Sequence, residues 1–206
     1  MKYLLIHGFN VSDSGAGSVA TLIPDLTYHG IRTENFSYPW TFLFSLALRT
    51  EEAVSRLIQE VGNEPIGIIA HSHGCVIANE AAKRGVDVRH LVAIQPAMRR
   101  RTKFAACYRR VDVVYNEGDY TVEFARLWRE IANAMPWRRQ FKHQWGAMGR
   151  RGYEGDDTRV HELELDSELG HSGVFESKHT RRLVALRALM FRSTYPEFFY
   201  GDRRGG

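Results

Sequence analysis

Ile66-Gly-Ile-Ile-Ala70 runs without a break into His71-Ser72-His73-Gly74, and Cys75-Val-Ile-Ala-Asn79 follows. The apolar run that Pro65 opens predicts a buried strand. Cys75 to Lys83, with Gly85 just beyond, predicts a helix. Ser72 therefore stands on a sharp strand-to-helix turn. Such a turn strains the serine backbone and lifts its hydroxyl above the sheet, and it needs small residues two positions before and two after, so that neighbouring chain can pack closely. Those positions hold Ala70 and Gly74, so alanine in place of the first glycine is the one departure from Gly-x-Ser-x-Gly.

Outward from this turn the chain alternates strand and helix. Tyr3 to Ile6 is a short apolar strand ending at His7-Gly8. Ala16 to Tyr28 has helical spacing and stops at Gly30, Ile31 to Tyr38 is extended, and Phe42 to Val61 is a long amphipathic helix closed by Gly62. Val88 to Ile94 and Val111 to Tyr115 are strands, Tyr120 to Ala134 is helical, Thr158 to Leu165 extended, and Val174 to Met190 helical. The fold class that follows is α/β: a mostly parallel sheet of about six strands with helices on both faces. The 206 residues are expected to form a single domain, with 201–206 as a frayed tail.

Composition excludes several classes. At 44% hydrophobic and 25% charged the chain is ordinary for a globular protein. No segment approaches the roughly 20 apolar residues of a membrane span, and the N-terminal apolar run is too short for a signal peptide, so a cytoplasmic location is expected. Cys75 and Cys107 suggest no disulfide framework, and Cys75 reads as a small core residue. The charge is uneven. Arg99, Arg100, Arg101, Lys103, Arg109 and Arg110 form one acid-free basic cluster, and Arg138, Arg139, Lys142, Arg150 and Arg151 a second. The formal net charge of +4 would be −7 without these eleven cations. Both read first as solvated surfaces, and second as contacts for something anionic; no nucleic-acid-binding motif accompanies them.

A serine hydroxyl becomes a nucleophile only when a base takes its proton and a third group orients that base. On this kind of sheet the order along the chain is serine, acid, histidine. The acid belongs just past a later strand, where Asn116-Glu-Gly-Asp119 follows Val111 to Tyr115; Asp119 is the candidate, Glu117 the reserve, and Asp112 lies too far inside the strand. Asp119 also suits the N-cap of a helix beginning at Tyr120. The base belongs after the last strand, and His171 in Leu169-Gly-His-Ser-Gly173 stands there. The other eight histidines read as surface or core residues. The backbone N–H groups of His73 and Phe9 are the expected oxyanion donors, with Asn10 behind Phe9.

His-Gly-Phe, His-Ser-His-Gly, Gly-Asp and Gly-His-Ser thus fall in order on the loops this chemistry requires, and from residue 3 to about 190 the chain resembles the α/β-hydrolase superfamily. The resemblance implies a small member without the first two strands of the larger ones, similar in size to cutinases and small lipases. It further implies a carboxylic-ester hydrolase with a Ser72–His171–Asp119 triad and neither metal nor organic cofactor; thioesterase or amidase activity with the same residues is the alternative. A non-catalytic binding domain on this fold is a further rival. His71-x-His73 raises a metal site, but the Asp-His pair expected two residues on is replaced by Gly74-Cys75-Val76.

Loops leaving the C-terminal ends of parallel strands surround the site. One carries Trp40 and Phe42, which either pack the next helix or, with Asn10, wall an acyl pocket. Only Gln95 to Arg110, expected partly helical, intervenes where larger lipases insert a lid, which favours an open site for a large or anionic ester. The second basic cluster, between a helix and the last strand, is expected at the opposite end of the sheet.

Overall fold

In the computed structural model, residues 1–8, 13, 15–38, 46–121 and 146–200 are described. Six strands pair entirely in parallel: β1 (Lys2–Ile6), β2 (Thr33–Phe36), β3 (Ile66–His71), β4 (Val88–Ile94), β5 (Arg110–Tyr115) and β6 (Val160–Glu164). Their spatial order is β2-β1-β3-β4-β5-β6. The chain thus moves outward from β1 to one edge, returns across β1, and proceeds from β3 to the other edge. The loops leaving β1 and β3 therefore part in opposite directions, and the crevice between them is where such sheets bind ligands. Gly8 and Ser72 stand at that crevice.

The apolar runs are buried because both faces of the sheet are covered. Leu4, Ile6, Ile68 and Ala70 pack on one face with Ala53, Val54 and Leu57 of α2 (Leu46–Val61) and with Ile77, Ala78 and Ala81 of α3 (Gly74–Lys83). Their alternates Tyr3, Leu5 and Ile69 pack on the other face with Leu26 of α1 (Ile23–Tyr28) and with Val184, Ala185 and Ala188 of the long C-terminal helix. The period of two along each strand thus separates the core into two layers. Cys75 is fully buried, and burial pushes its thiol pKa up, consistent with a packing role.

Two expected helices are interrupted, each for a local reason. Ala16 to Tyr28 is not one helix: Val19–Leu22 is a 3-10 turn, and α1 begins only at Ile23. Pro24 has no N–H to give to the carbonyl four residues back. The C-terminal helix is split at Ser177, which is extended (φ −82°, ψ 121°) and caps the following helix by accepting from Thr180 N at 3.4 Å. The split leaves Gly173–Glu176 (α5) and Lys178–Thr194 (α6); the other described helices after α3 are Met148–Arg151 (α4, unanticipated) and Glu197–Tyr200 (α7). Gln95 to Arg109 holds no helix, only turns. Tyr120 to Ala134, beyond its first two residues, lies outside the described residues, as does the tail 201–206. Among the described residues no helix is long and apolar enough to cross a membrane.

Candidate active site

Ser72 follows β3 directly and has φ +51°, a left-handed backbone that costs a non-glycine residue about 1–2 kcal/mol. Hydrogen bonds on both sides hold it there: its N–H donates to Ile94 O at 2.9 Å, and its carbonyl accepts from Cys75 N and Ala97 N, each at 3.2 Å. The small residues around it are required by contact. A Cβ on Gly74 would lie 2.5 Å from His7 O and 2.7 Å from Ile6 O, both backbone atoms of the neighbouring strand and its exit. One on Gly8 would lie 3.2 Å from the Ser72 Cβ. Gly74→Ala should therefore displace the elbow rather than a side chain. A loss of about 1–3 kcal/mol in urea unfolding is expected, from overpacking against backbone that cannot retreat. An unchanged unfolding midpoint would show that the turn tolerates the methyl group.

The acid and base candidates meet across the end of β5. Asn116 to Asp119 turns tightly, Asp119 N donating to Asn116 O at 3.2 Å, and Gly118 is needed because a Cβ there would collide with the Ser167 carbonyl. A short 3-10 turn, Ser167–Leu169, leads into Gly170 at φ +60°, ψ −161°, a conformation essentially reserved for glycine, and this aims the next residue back at the sheet. There His171 Nδ1 donates to Asp119 Oδ2 at 2.8 Å. The Asp119 side chain is fully buried, whereas 17% of the His171 side chain meets solvent. With Nδ1 donating to the carboxylate, Nε2 is the basic nitrogen of a neutral ring. Glu117, the reserve acid, is exposed, and its carbonyl accepts from Arg150 Nε at 2.9 Å. Asp112 lies mid-strand, held by His90 and Arg110.

The histidines beside Ser72 point to separate partners. His73, at the N-cap of α3, makes a 2.9 Å hydrogen bond between Nε2 and Thr50 Oγ1 of α2. His71 packs beside His171, ring centroids 4.7 Å apart, and edge-on to Phe175 at 4.9 Å. Burial first, and the neighbouring His171 second, depress its pKa to about 3, so it stays neutral at working pH. Among the described residues no group of three or more histidine, cysteine and carboxylate side chains is placed to hold a metal ion. His7 stacks on Tyr38 at 4.2 Å, and its Nδ1 donates to Gly8 O at 2.8 Å, where the Tyr38 hydroxyl also bonds at 2.8 Å. Tyr38, which the sequence reading passed over, thus braces the loop leaving β1. The only signal for it was an aromatic closing an extended stretch ahead of Pro39. Phe9, Asn10, Trp40 and Phe42 lie outside the described residues, so the second oxyanion donor and the pocket wall remain expectations.

The basic clusters are broken up by acids brought from elsewhere in the chain. Arg110 chelates Asp112 through Nε and Nη2, both at 2.8 Å, and Arg100 and Arg101 face Glu154 at 3.5 Å. The described end of the second cluster is not at the far end of the sheet, as expected. Met148 N donates to Met98 O at 2.9 Å, and Asn116 N to Gly149 O at 3.0 Å, so α4 sits at the C-terminal ends of β4 and β5. Gly146 and Gly149 permit this, since a Cβ on either would meet the backbone of Arg99 or Gln95 at 2.5–2.6 Å. Arg150 and Arg151 therefore join exposed Arg99 on the site's side of the molecule. Arg138, Arg139 and Lys142 lie outside the described residues.

A family model described as the alpha/beta hydrolase family matches residues 3–200. A search of curated proteins found no match. Among solved structures, the chain is similar to a putative hydrolase of the alpha/beta superfamily from Xanthomonas campestris (TM-score 0.53, 17% identity, 92% of this chain and 98% of that one). It is similar to mouse alpha/beta hydrolase domain-containing protein 10 (0.59, 12%, 94% and 90%). It is also similar to a monoacylglycerol lipase of Paleococcus ferrophilus (0.53, 12%, 94% and 94%).

Proposed function

The chain belongs to the α/β-hydrolase family, and on that premise we propose that it hydrolyses carboxylic esters through an acyl-serine intermediate. Ser72 is the nucleophile, His171 the general base and Asp119 the group that orients it. The observation that carries this reading is the 2.8 Å pair of His171 and buried Asp119 at the mouth of the sheet that also bears the strained Ser72 elbow.

In the acylation step the Ser72 Oγ attacks the ester carbon as His171 Nε2 takes its proton. The resulting oxyanion accepts hydrogen bonds from the backbone N–H of His73 and of Phe9. Collapse breaks the bond to the alkoxy oxygen, and His171 returns the proton to the departing alcohol. Water then attacks the acyl-serine, giving its proton to Nε2; collapse breaks the bond from the acyl carbon to Ser72 Oγ as Nε2 returns that proton to Oγ, which releases the acid and restores both residues. Asp119 keeps the proton of the neutral ring on Nδ1 and stabilises the imidazolium formed in each half. No step calls for a metal or an organic cofactor. An ester substrate accords with the lipase among the structures of this fold.

Labelling with a fluorophosphonate, read by intact mass, tests the nucleophile. One adduct is expected on the wild-type chain and none on Ser72→Ala. A folded wild type that stays unlabelled would remove the proposal's foundation.

A further inference from the structure

The loop that carries His171 has little structure of its own, a 3-10 turn of three residues and a glycine in a conformation other residues avoid. What holds it comes from the ends of three different strands. Gln95, immediately after β4, donates its side-chain amide N–H to Gly170 O at 2.6 Å. Asn116, immediately after β5, donates to the same carbonyl at 2.8 Å. His71, the last residue of β3, lies with Nε2 3.1 Å from His171 O. A carbonyl can only accept, so this nitrogen carries the proton. All three side chains are buried.

We infer that His71, Gln95 and Asn116 are positioning residues that clamp two consecutive carbonyls, Gly170 and His171, and so fix where the His171 ring stands at the mouth of the sheet. The inference rests on the proposed serine-hydrolase reading for its catalytic consequence, but not for the anchoring itself.

Several observations converge on this role. The clamp is built on rigid strand ends, not on another loop. Each of its members also touches a second part of the site. Asn116 O accepts from Asp119 N, so one residue ties the acid's turn to the base's loop. Gln95 has φ +44°, a strained backbone that persists at functional sites where the surroundings over-determine it. Its N–H donates to Val114 O at 2.7 Å, joining β4 to β5 at this point. His71 adjoins Ser72 itself, and its ring packs on that of His171. The depressed basicity of His71 suits the task, because a neutral ring keeps one fixed donor without adding positive charge beside the base. Finally, the side chain of Gln95 also reaches that of His71, so two members of the clamp bear on each other as well as on the loop.

The test compares wild type with His71→Leu, His71→Gln and Asn116→Leu. Leucine removes the donor and keeps bulk; glutamine returns an amide N–H near the position of Nε2. Two readouts are taken on the full chain: hydrogen exchange of the 166–176 segment, and kcat and KM on p-nitrophenyl acetate. Both leucine variants are expected to exchange about tenfold faster in that segment, with β3 and α3 unchanged. Their kcat should fall about tenfold to hundredfold at constant KM, since displacement of a catalytic group by about 1 Å can cost that much. His71→Gln should recover most of both effects. Should a leucine variant unfold, alanine at the same position, which only truncates, takes its place. Unchanged exchange in 166–176 would overturn the clamp, and a loosened loop with kcat intact would overturn its positioning role. A wild type inert to esters and to fluorophosphonate would instead sink the proposed function, while the exchange data would still decide whether these side chains anchor the loop.

Discussion

Ser72→Ala is expected to lower kcat on an ester by about 10⁶-fold, and adding His171→Ala to it should cost almost nothing further. The two residues do one job. Without the hydroxyl there is no proton for the base to take, and without the base the hydroxyl is a poor nucleophile. Asp119→Asn should cost less, about 10⁴-fold, because the ring remains but its preferred tautomer changes: an amide can offer an N–H to Nδ1, which leaves Nε2 protonated and useless as a base. The 2.8 Å contact to a fully buried carboxylate makes this substitution informative, since no water can take the carboxylate's place. Single- and multiple-turnover kinetics on the four variants settle it. If the losses from Ser72→Ala and His171→Ala multiply, the two act independently, and the proposed unit does not exist.

The sheet was legible because its strands are buried on both faces. Ile66 to Ala70, Val88 to Ile94 and Val111 to Tyr115 are continuous apolar runs, and only a parallel sheet between helices buries such runs completely. Boundaries were lost where one residue's chemistry outweighed the periodicity. Pro24 and Ser177 each sit inside a stretch with helical spacing, and each breaks it through its own backbone or side chain. The position of α4 was not legible at all. It depends on Gly146 and Gly149 touching the backbone of residues about fifty positions earlier, and no local pattern records that contact.

The candidate site divides the same way. Ser72, Asp119 and His171 were singled out as candidates from their order on successive loops, and the structure brings Asp119 and His171 into hydrogen-bond contact. The side chains that hold the base's loop were missed. A polar residue directly after an apolar strand, such as Gln95 or Asn116, is visible in the sequence. Its partner is not, because the Gly170 carbonyl lies 75 and 54 positions away and is reached only once β4, β5 and the last loop are in register. His90 shows the same limit: it read as a surface or core residue, and only the pairing of β4 with β5 sets it beside Asp112.

That pairing leads to the second large effect, and it concerns stability alone. Asp112 is fully buried in a chain of hydrogen bonds: His90 Nε2 donates to it at 2.7 Å, Arg110 donates twice at 2.8 Å, and the Tyr3 hydroxyl bonds His90 Nδ1 at 2.7 Å. The His90 ring is stacked on Phe191 at 4.4 Å. Since Nε2 donates to the carboxylate, Nδ1 accepts from Tyr3, and the ring is neutral; burial lowers its pKa, in agreement. Burial opposes ionisation of Asp112, but the donors from His90 and Arg110 outweigh it and hold its pKa at about 2, below the usual 3.8. A carboxylate with a depressed pKa stabilises the fold above its unfolded-state value, and that contribution fades as pH falls from about 4 towards 2. The shift corresponds to about 2 kcal/mol. Asp112→Asn removes the charge and turns one donor-facing oxygen into an N–H, stranding Arg110 or His90. Breaking a buried pair from one side costs about 3–5 kcal/mol. Urea unfolding at pH 7 should register that loss, whereas kcat of the folded variant should stay within about twofold, because the network belongs to the sheet's interior and touches none of Ser72, Asp119 and His171. The gap between wild type and variant should narrow as the measurement is repeated from pH 5 down to pH 3. A gap of the same size at both ends would mean that the packing of Asp112, and not its charge, is what the fold requires.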